Sequence, residues 1–165
     1  LGIAVLSGYG IAGAVAYWTR QHTGVEGIGD LVRLIVTSVA LGATFISIGY
    51  VASASVRQTG TAAALAVAIW LFAVVLYDLA LLGGLLASPD GLFAKTLFPY
   101  LLAANPADAF RVFNMAGIGI ADAATGLAAN GSAMPFSPYL AIVSPFIWTG
   151  LGLVVSTVIL KRIQP

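Results

Sequence analysis

Residues 6–18 read LSGYGIAGAVAYW, and the six from Gly8 to Gly13 spell G-x-G-x-x-G. Two incompatible structures use that spacing. One is the turn that seats a dinucleotide pyrophosphate on a helix N-terminus; the other is a run of small residues that lets helix backbones meet in lipid. A dinucleotide turn needs a strand before it, a helix after it and, about 20 residues on, an acid ending a second strand. Glu26 and Asp30 lie at that distance, but residues 21–30, QHTGVEGIGD, are polar and glycine-rich without strand alternation, and no βα alternation follows. Helix packing accounts for more residues. Gly8 with Ala12, Gly10 with Ala14, and Ala12 with Ala16 are small pairs four apart, and Ser38/Gly42, Gly49/Ser53 and Gly152/Ser156 repeat the theme.

Composition points the same way. The 165 residues are 8% charged and 60% hydrophobic, where an average soluble domain is roughly 25% charged. Mean hydropathy is +1.02. Too few polar residues remain to cover a water-facing globule, so the chain reads as an all-α integral membrane protein. A net charge of +1 gives no footprint for nucleic acid. The absence of cysteine excludes disulfides and thiolate metal sites. His22 is the single histidine, and Met115 and Met134 are isolated, so no metal or copper track is assigned. Neither a Walker motif nor a Ser/His/Asp cluster is present, so no catalytic or cofactor-binding residue is assigned and the chain is not expected to hydrolyse ATP itself. Leu1 opens inside an apolar run without an initiator Met, which suggests a fragment.

Charges punctuate four apolar runs, about 1–19, 34–56, 61–87 and 139–160. Each is near or above the roughly 20 residues a helix needs to cross a bilayer. Polar clusters separate them, and residues 20–33 are expected to form a loop. Residues 88–138 differ: Pro89, Pro99, Pro106, Pro135 and Pro138 interrupt them, with Asp90, Lys95, Asp108, Arg111 and Asp122 between apolar patches. The stretch ANPADAFRVFNMAG holds a helix start, with Asn105 to cap, Pro106 at the first position and Asp108 near the positive end of the dipole. Asp108 and Arg111, three apart, can meet on one face. A pair of short re-entrant helices is expected over 88–138; the alternative is one poorly formed span within 97–129. Trp18, Tyr17, Tyr100, Tyr139 and Trp148 lie mostly near span ends, as interface anchors do.

Asp78 is the one ionisable residue deep in a span. A carboxylate in lipid must pair, protonate or face a polar cavity, and Arg111 is a candidate partner. Tyr77-Asp78 and Gly27–Asp30 are similar to the paired motifs of intramembrane aspartyl proteases. Their order here is reversed, however, and Asp30 is expected in a loop. Lys161-Arg162 after the last run argues for a cytoplasmic C-terminus. Charge counting does not support it: that orientation puts Arg57, Lys161 and Arg162 inside against Arg20, Arg33, Lys95 and Arg111 outside.

Two segments carry a family resemblance: residues 56–83, VRQTGTAAALAVAIWLFAVVLYDLALLG, and residues 98–114, FPYLLAANPADAFRVFN. The second holds the most specific element, Asn-Pro-x-Asp-x-x-Arg at 105–111. Together they resemble the membrane permeases of the Nos ABC transporter, the maturation system of nitrous oxide reductase, within the ABC-2 type permease family. The resemblance extends from these segments over the whole chain.

The resemblance implies a six-helix subunit of which the present spans are helices three to six. It implies short outer re-entrant helices before the last span and a cytoplasmic C-terminus in the bacterial inner membrane. It also implies a homodimer, cytoplasmic ABC ATPase subunits, and a periplasmic copper-site assembly protein. The main ATPase-contacting loop of the family precedes helix three, so the turn at Arg57, Gln58 and Thr59 remains as the candidate ATPase contact. Asn105, Pro106, Asp108 and Arg111 are the candidate contacts for the periplasmic partner. The expected function is coupling of ATP hydrolysis to copper-centre maturation, through a sulfur or copper-related cargo or through mechanical transmission. The alternatives are a generic ABC-2 exporter of a lipid, glycan or drug, and a non-transporting membrane scaffold.

Overall fold

The structure is a computed structural model and describes residues 2–5, 7–10, 26–87, 89, 91–117 and 135–163. His22, Met134 and the greater part of the expected span 1–19 lie outside the described residues, and residues 2–5 and 7–10 of that span are helical. The elements are α1 (Glu26–Ser55), α2 (Thr59–Leu71), a π-helical turn (Phe72–Leu76), α3 (Tyr77–Ala87), a second π turn (Phe93–Leu97), α4 (Phe98–Ala104), α5 (Pro106–Gly117), a 3-10 turn (Pro138–Ile142) and α6 (Val143–Ile163). The described chain is an all-α membrane protein. Three helical segments are long and apolar enough to cross a bilayer: Leu31–Ser55, Thr59–Ala87 and Tyr139–Arg162. The shortest, at 24 residues, is about 36 Å long at 1.5 Å per residue, which exceeds a hydrocarbon core of about 30 Å.

The loop expected over residues 20–33 is helix from Glu26 onward, so Asp30 lies on α1 and not in a loop. Each glycine in a helix costs about 1 kcal/mol relative to alanine. Extension of an already nucleated helix outweighs that cost. The loop ground for setting aside the aspartyl-protease likeness therefore falls, and the reversed order remains. Residues 97–117 are not one continuous span either. The chain breaks at Asn105, whose ψ of 124° is extended, as the residue before a proline must be. The result is two short helices, α4 of 7 residues and α5 of 12.

The π turn inside Thr59–Ala87 has no signal in the sequence. There the Tyr77 N–H reaches back five residues to the Phe72 carbonyl. The segment nonetheless runs as one rod and exposes Leu65, Trp70, Phe72, Leu79 and Leu86. The best-packed region gathers at the end of the bundle remote from the Arg57 turn. Leu81 of α3, Phe98 and Leu102 of α4, Ala109 and Val112 of α5 and Ala141 of the 3-10 turn form one buried cluster.

α1 and α6 pack through small and hydroxyl-bearing residues. Thr44, Ser47 and Ser156 are buried. Thr44 Oγ1 lies 2.9 Å from the Pro145 carbonyl and 3.1 Å from Thr149 Oγ1. Gly152 is the tightest point, because a Cβ there would stand 2.5 Å from Ser47 Oγ and 3.1 Å from the Ser47 carbonyl carbon. Gly152 and Ser156 thus lie on the seam as their spacing predicts. On α1 the seam runs through Thr44 and Ser47, whereas Gly49 meets nothing and Ser53 is exposed. Gly152→Ala is expected to force the two helices apart and lower stability by about 1–3 kcal/mol, the range for overpacking a close contact. Equilibrium denaturation in detergent checks this, and Gly150→Ala, at a helical position where a Cβ meets nothing, is the control, expected to gain up to about 1 kcal/mol of helix propensity without the clash.

Candidate functional site

Three successive polar handles on one side of the Thr59–Ala87 rod grip the short helices. The first is made by the π turn. Because the Tyr77 N–H goes to Phe72, the Ala73 carbonyl loses the donor an α-helix would give it. Asn105 Nδ2 supplies one at 2.6 Å. The second is the Tyr77 hydroxyl, which donates to the Leu101 carbonyl at 2.7 Å. The third is Asp78, whose Oδ2 accepts from Arg111 Nη1. Residues 73, 77 and 78 share a face at helical spacing, so one side of one rod holds α4, the elbow at Asn105, and α5.

The elbow is built by Asn105. Its Oδ1 accepts from the Ala107 N–H at 3.0 Å, capping α5, and its carbonyl accepts from Ala109 at 2.9 Å. Pro106 takes the position where a missing N–H costs nothing. From the other side α6 holds the same elbow, with Ser144 Oγ and Trp148 Nε1 both donating to the Ala104 carbonyl at 3.0 and 2.8 Å. That carbonyl ends α4 and would otherwise lack a partner. Trp148, expected as an interface anchor, therefore also ties α6 to the elbow. At the far end of α5, Asn114 Nδ2 lies 3.0 Å from Thr37 Oγ1, and Arg33 Nη2 donates to the Asn114 carbonyl at 3.3 Å. Arg33 also complements the negative end of the α5 dipole. Edge-to-face contact of Phe113 with Tyr139, centroids 5.8 Å apart, adds the entry to α6. α5 is thus a crossbar fastened to all three rods.

The charged centre of this arrangement is a triad. Arg111 Nη1 bridges Asp78 Oδ2 and, at 2.9 Å, Asp108 Oδ1. Side-chain exposure is 40% for Arg111, 24% for Asp78 and 2% for Asp108. α5 lies outside the three spans. Burial first, then hydrogen bonding to and the charge of Asp78, push the Asp108 carboxyl up to about 7, while Arg111 pulls the other way. Among the described residues no three His, Asp or Glu side chains gather to hold a metal ion.

The expected partner contacts fall into two groups. Asn105, Pro106 and Asp108 are buried, and Asn105 and Asp108 make bonds inside the chain; Arg111 alone of the four presents part of its side chain to the surface. Arg57, Gln58 and Thr59 form the exposed turn between α1 and α2, with Gln58 extended and Thr61 Oγ1 donating to its Oε1 at 3.5 Å. Sequence reasoning missed Ala73, Thr37, Ser144 and Asn114. Ala73 carries no side-chain signal at all, Thr37 and Ser144 are ordinary polar residues in apolar runs, and Asn114 is one more polar residue in the mixed stretch 88–138.

An apolar groove of about 270 Å³ opens beside the elbow, lined by Ile48, Ile69, Phe72, Ala73, Tyr77 and Trp148 among others. A second hollow of about 230 Å³ shares Ile48, Ile69 and Trp148 with it.

Comparison with known proteins gives the family. Residues 1–162 match the model of the ABC-2 family transporter protein. The chain is 34% identical over 167 residues to the probable ABC transporter permease protein NosY of Stutzerimonas stutzeri. It is 31% identical over 163 residues to the protein of the same name from Pseudomonas aeruginosa. Each match takes in 98% of this chain but 59% and 58% of the relative, so the chain spans about three-fifths of their length. With three membrane-crossing rods and a family match over nearly every residue, the chain belongs to the ABC-2 family of transporter proteins.

Proposed function

We propose that this chain is part of the membrane permease of an ABC transporter that serves assembly of the copper centres of nitrous oxide reductase, and that it works as a mechanical converter. The fastening of α5 to all three rods is the observation that carries the proposal. A crossbar held at Asn105, Arg111 and Asn114 moves when the rods tilt against one another. ATP binding to separate cytoplasmic subunits, contacting Arg57, Gln58 and Thr59, would bias two rod arrangements, provided those subunits bind the two with different affinity. The crossbar then faces a periplasmic copper-site assembly protein, with Arg111 as its charged contact and Asn105, Pro106 and Asp108 shaping the surface from below. The permease acts as a homodimer in the bacterial inner membrane with its C-terminus cytoplasmic, and a sulfur or copper-related species is the cargo if anything crosses.

These 165 residues contain no cysteine, so they add no background to the labelling. Spin labels at Gln58→Cys and Tyr100→Cys, both exposed positions, are placed in the full-length protein bound to its ATPase. The distance between them is expected to change between nucleotide-free and ATP-bound states. An unchanged distance with ATP turnover intact defeats the mechanical reading. Export of a lipid or other amphiphile is the alternative that the apolar groove beside Trp148 favours. It expects nitrous oxide reductase to acquire its copper centres normally in a strain lacking the transporter.

A further inference from the structure

The charged triad does not balance. Arg111 Nη1 serves Asp78 Oδ2 and Asp108 Oδ1 at once. That leaves Asp78 Oδ1 and Asp108 Oδ2, both buried, with no hydrogen-bond donor among the described residues. Buried acceptors without donors are rare, and each calls for a physical account. The side chains of Asp78 and Asp108 lie within hydrogen-bonding reach of each other. If both are ionised, two carboxylates share one guanidinium, with a net charge of −1 and one unpaired oxygen on each.

Among the described residues the neighbouring elements offer no remedy. Tyr77 of α3 feels the Asp108 charge, but its hydroxyl is committed to the Leu101 carbonyl. Lys95, on the π turn before α4, is exposed. Arg33 of α1 is directed at the opposite end of α5, on the Asn114 carbonyl.

We infer that Asp78 and Asp108 hold one proton between them, which makes the junction of α3 and α5 a proton-binding site. The proton turns one orphan acceptor into a donor for the other, satisfies both oxygens and brings the triad to neutrality with Arg111. Paired carboxyl groups that cannot both ionise behave in this way. The raised position of Asp108, about 7, puts release of the proton in the neutral range. Loss of the proton leaves two like charges across the α3–α5 contact, so the hold of the rod on the crossbar loosens. An acid raised from 3.8 to about 7 contributes stability that is complete below 3.8 and lost as pH rises through 7.

The test is pH-difference infrared spectroscopy on the full-length protein in lipid. The carbonyl stretch of a protonated carboxylic acid, equivalent to one group per chain, is expected on the acid side of pH 7 and lost on the alkaline side. Asp108→Asn and Asp78→Asn should each remove that band. Asp108→Asn keeps a donor where the proton sits and so preserves the packing. It should also flatten the fall in thermal midpoint that the native protein shows as pH rises toward neutrality. A native protein with no such band near neutral pH, or a band undiminished in whichever of the two variants folds, overturns the inference.

Discussion

Asn105→Ala is expected to destabilise the folded protein by about 2–4 kcal/mol, a large effect for one surface-remote polar residue. The sum has two parts. Loss of the cap on α5 costs about 1 kcal/mol. Leaving the Ala73 carbonyl without a donor, in a rod whose other groups are satisfied, costs about 1–3 kcal/mol. Asn105 is 5% exposed, so water does not readily replace the missing amide. Asn105→Ser separates the parts. Serine keeps a capping oxygen but is too short to reach Ala73, so it should retain the first contribution and lose the second. Denaturant titration of the full-length protein in detergent gives both values. An alanine variant within about 0.5 kcal/mol of the native protein, the scatter of ordinary surface substitutions, would show that the elbow is held by other means.

The second large effect is at Arg111. Replacing it with methionine leaves Asp78 and the nearly inaccessible Asp108 facing each other without a cation. Removing one member of a fully buried ion pair costs about 3–5 kcal/mol. Here the guanidinium is 40% exposed, so about 2–3 kcal/mol is the discounted expectation. The double variant Arg111→Met with Asp78→Asn should recover more than half of the loss, because the orphaned charge goes with its partner; a double-mutant cycle measures the coupling directly. Simple additivity would mean that Arg111 acts through packing alone. Arg111→Glu puts a third carboxyl group in place of the cation and should weaken capture of a periplasmic partner while insertion into the membrane is retained. Undiminished capture would remove Arg111 from the docking surface.

Much of this was legible in the residues because it follows from local chemistry. Three of the four apolar runs coincide with the described rods to within a few residues, the first lying mostly outside the described residues, and Asn105-Pro106 marked the break between the short helices because capping and a missing N–H act over one turn. The charge of Asp78 demanded a partner, and Arg111 was a cation within reach in sequence terms. What escaped depends on rotation about helix axes. Small residues recur on several faces of α1, and only packing against α6 selects Thr44 and Ser47 over Gly49 and Ser53. The helical course of Glu26–Asp30 was hidden by glycines whose cost the long rod absorbs. Burial of Asp108 could not be read at all, since an acid in a first helical turn is as often solvated.

The π turn at Phe72–Leu76 also sets a phase. Each residue of an α-helix advances the azimuth by about 100°. A helix that takes up an extra residue in one wide turn therefore faces two directions: the stretch from Thr59 looks one way and the stretch from Tyr77 another. Evolution can re-aim one half of such a rod by gaining or losing a single residue there, while the other half keeps its orientation and neither end shifts by much along the axis.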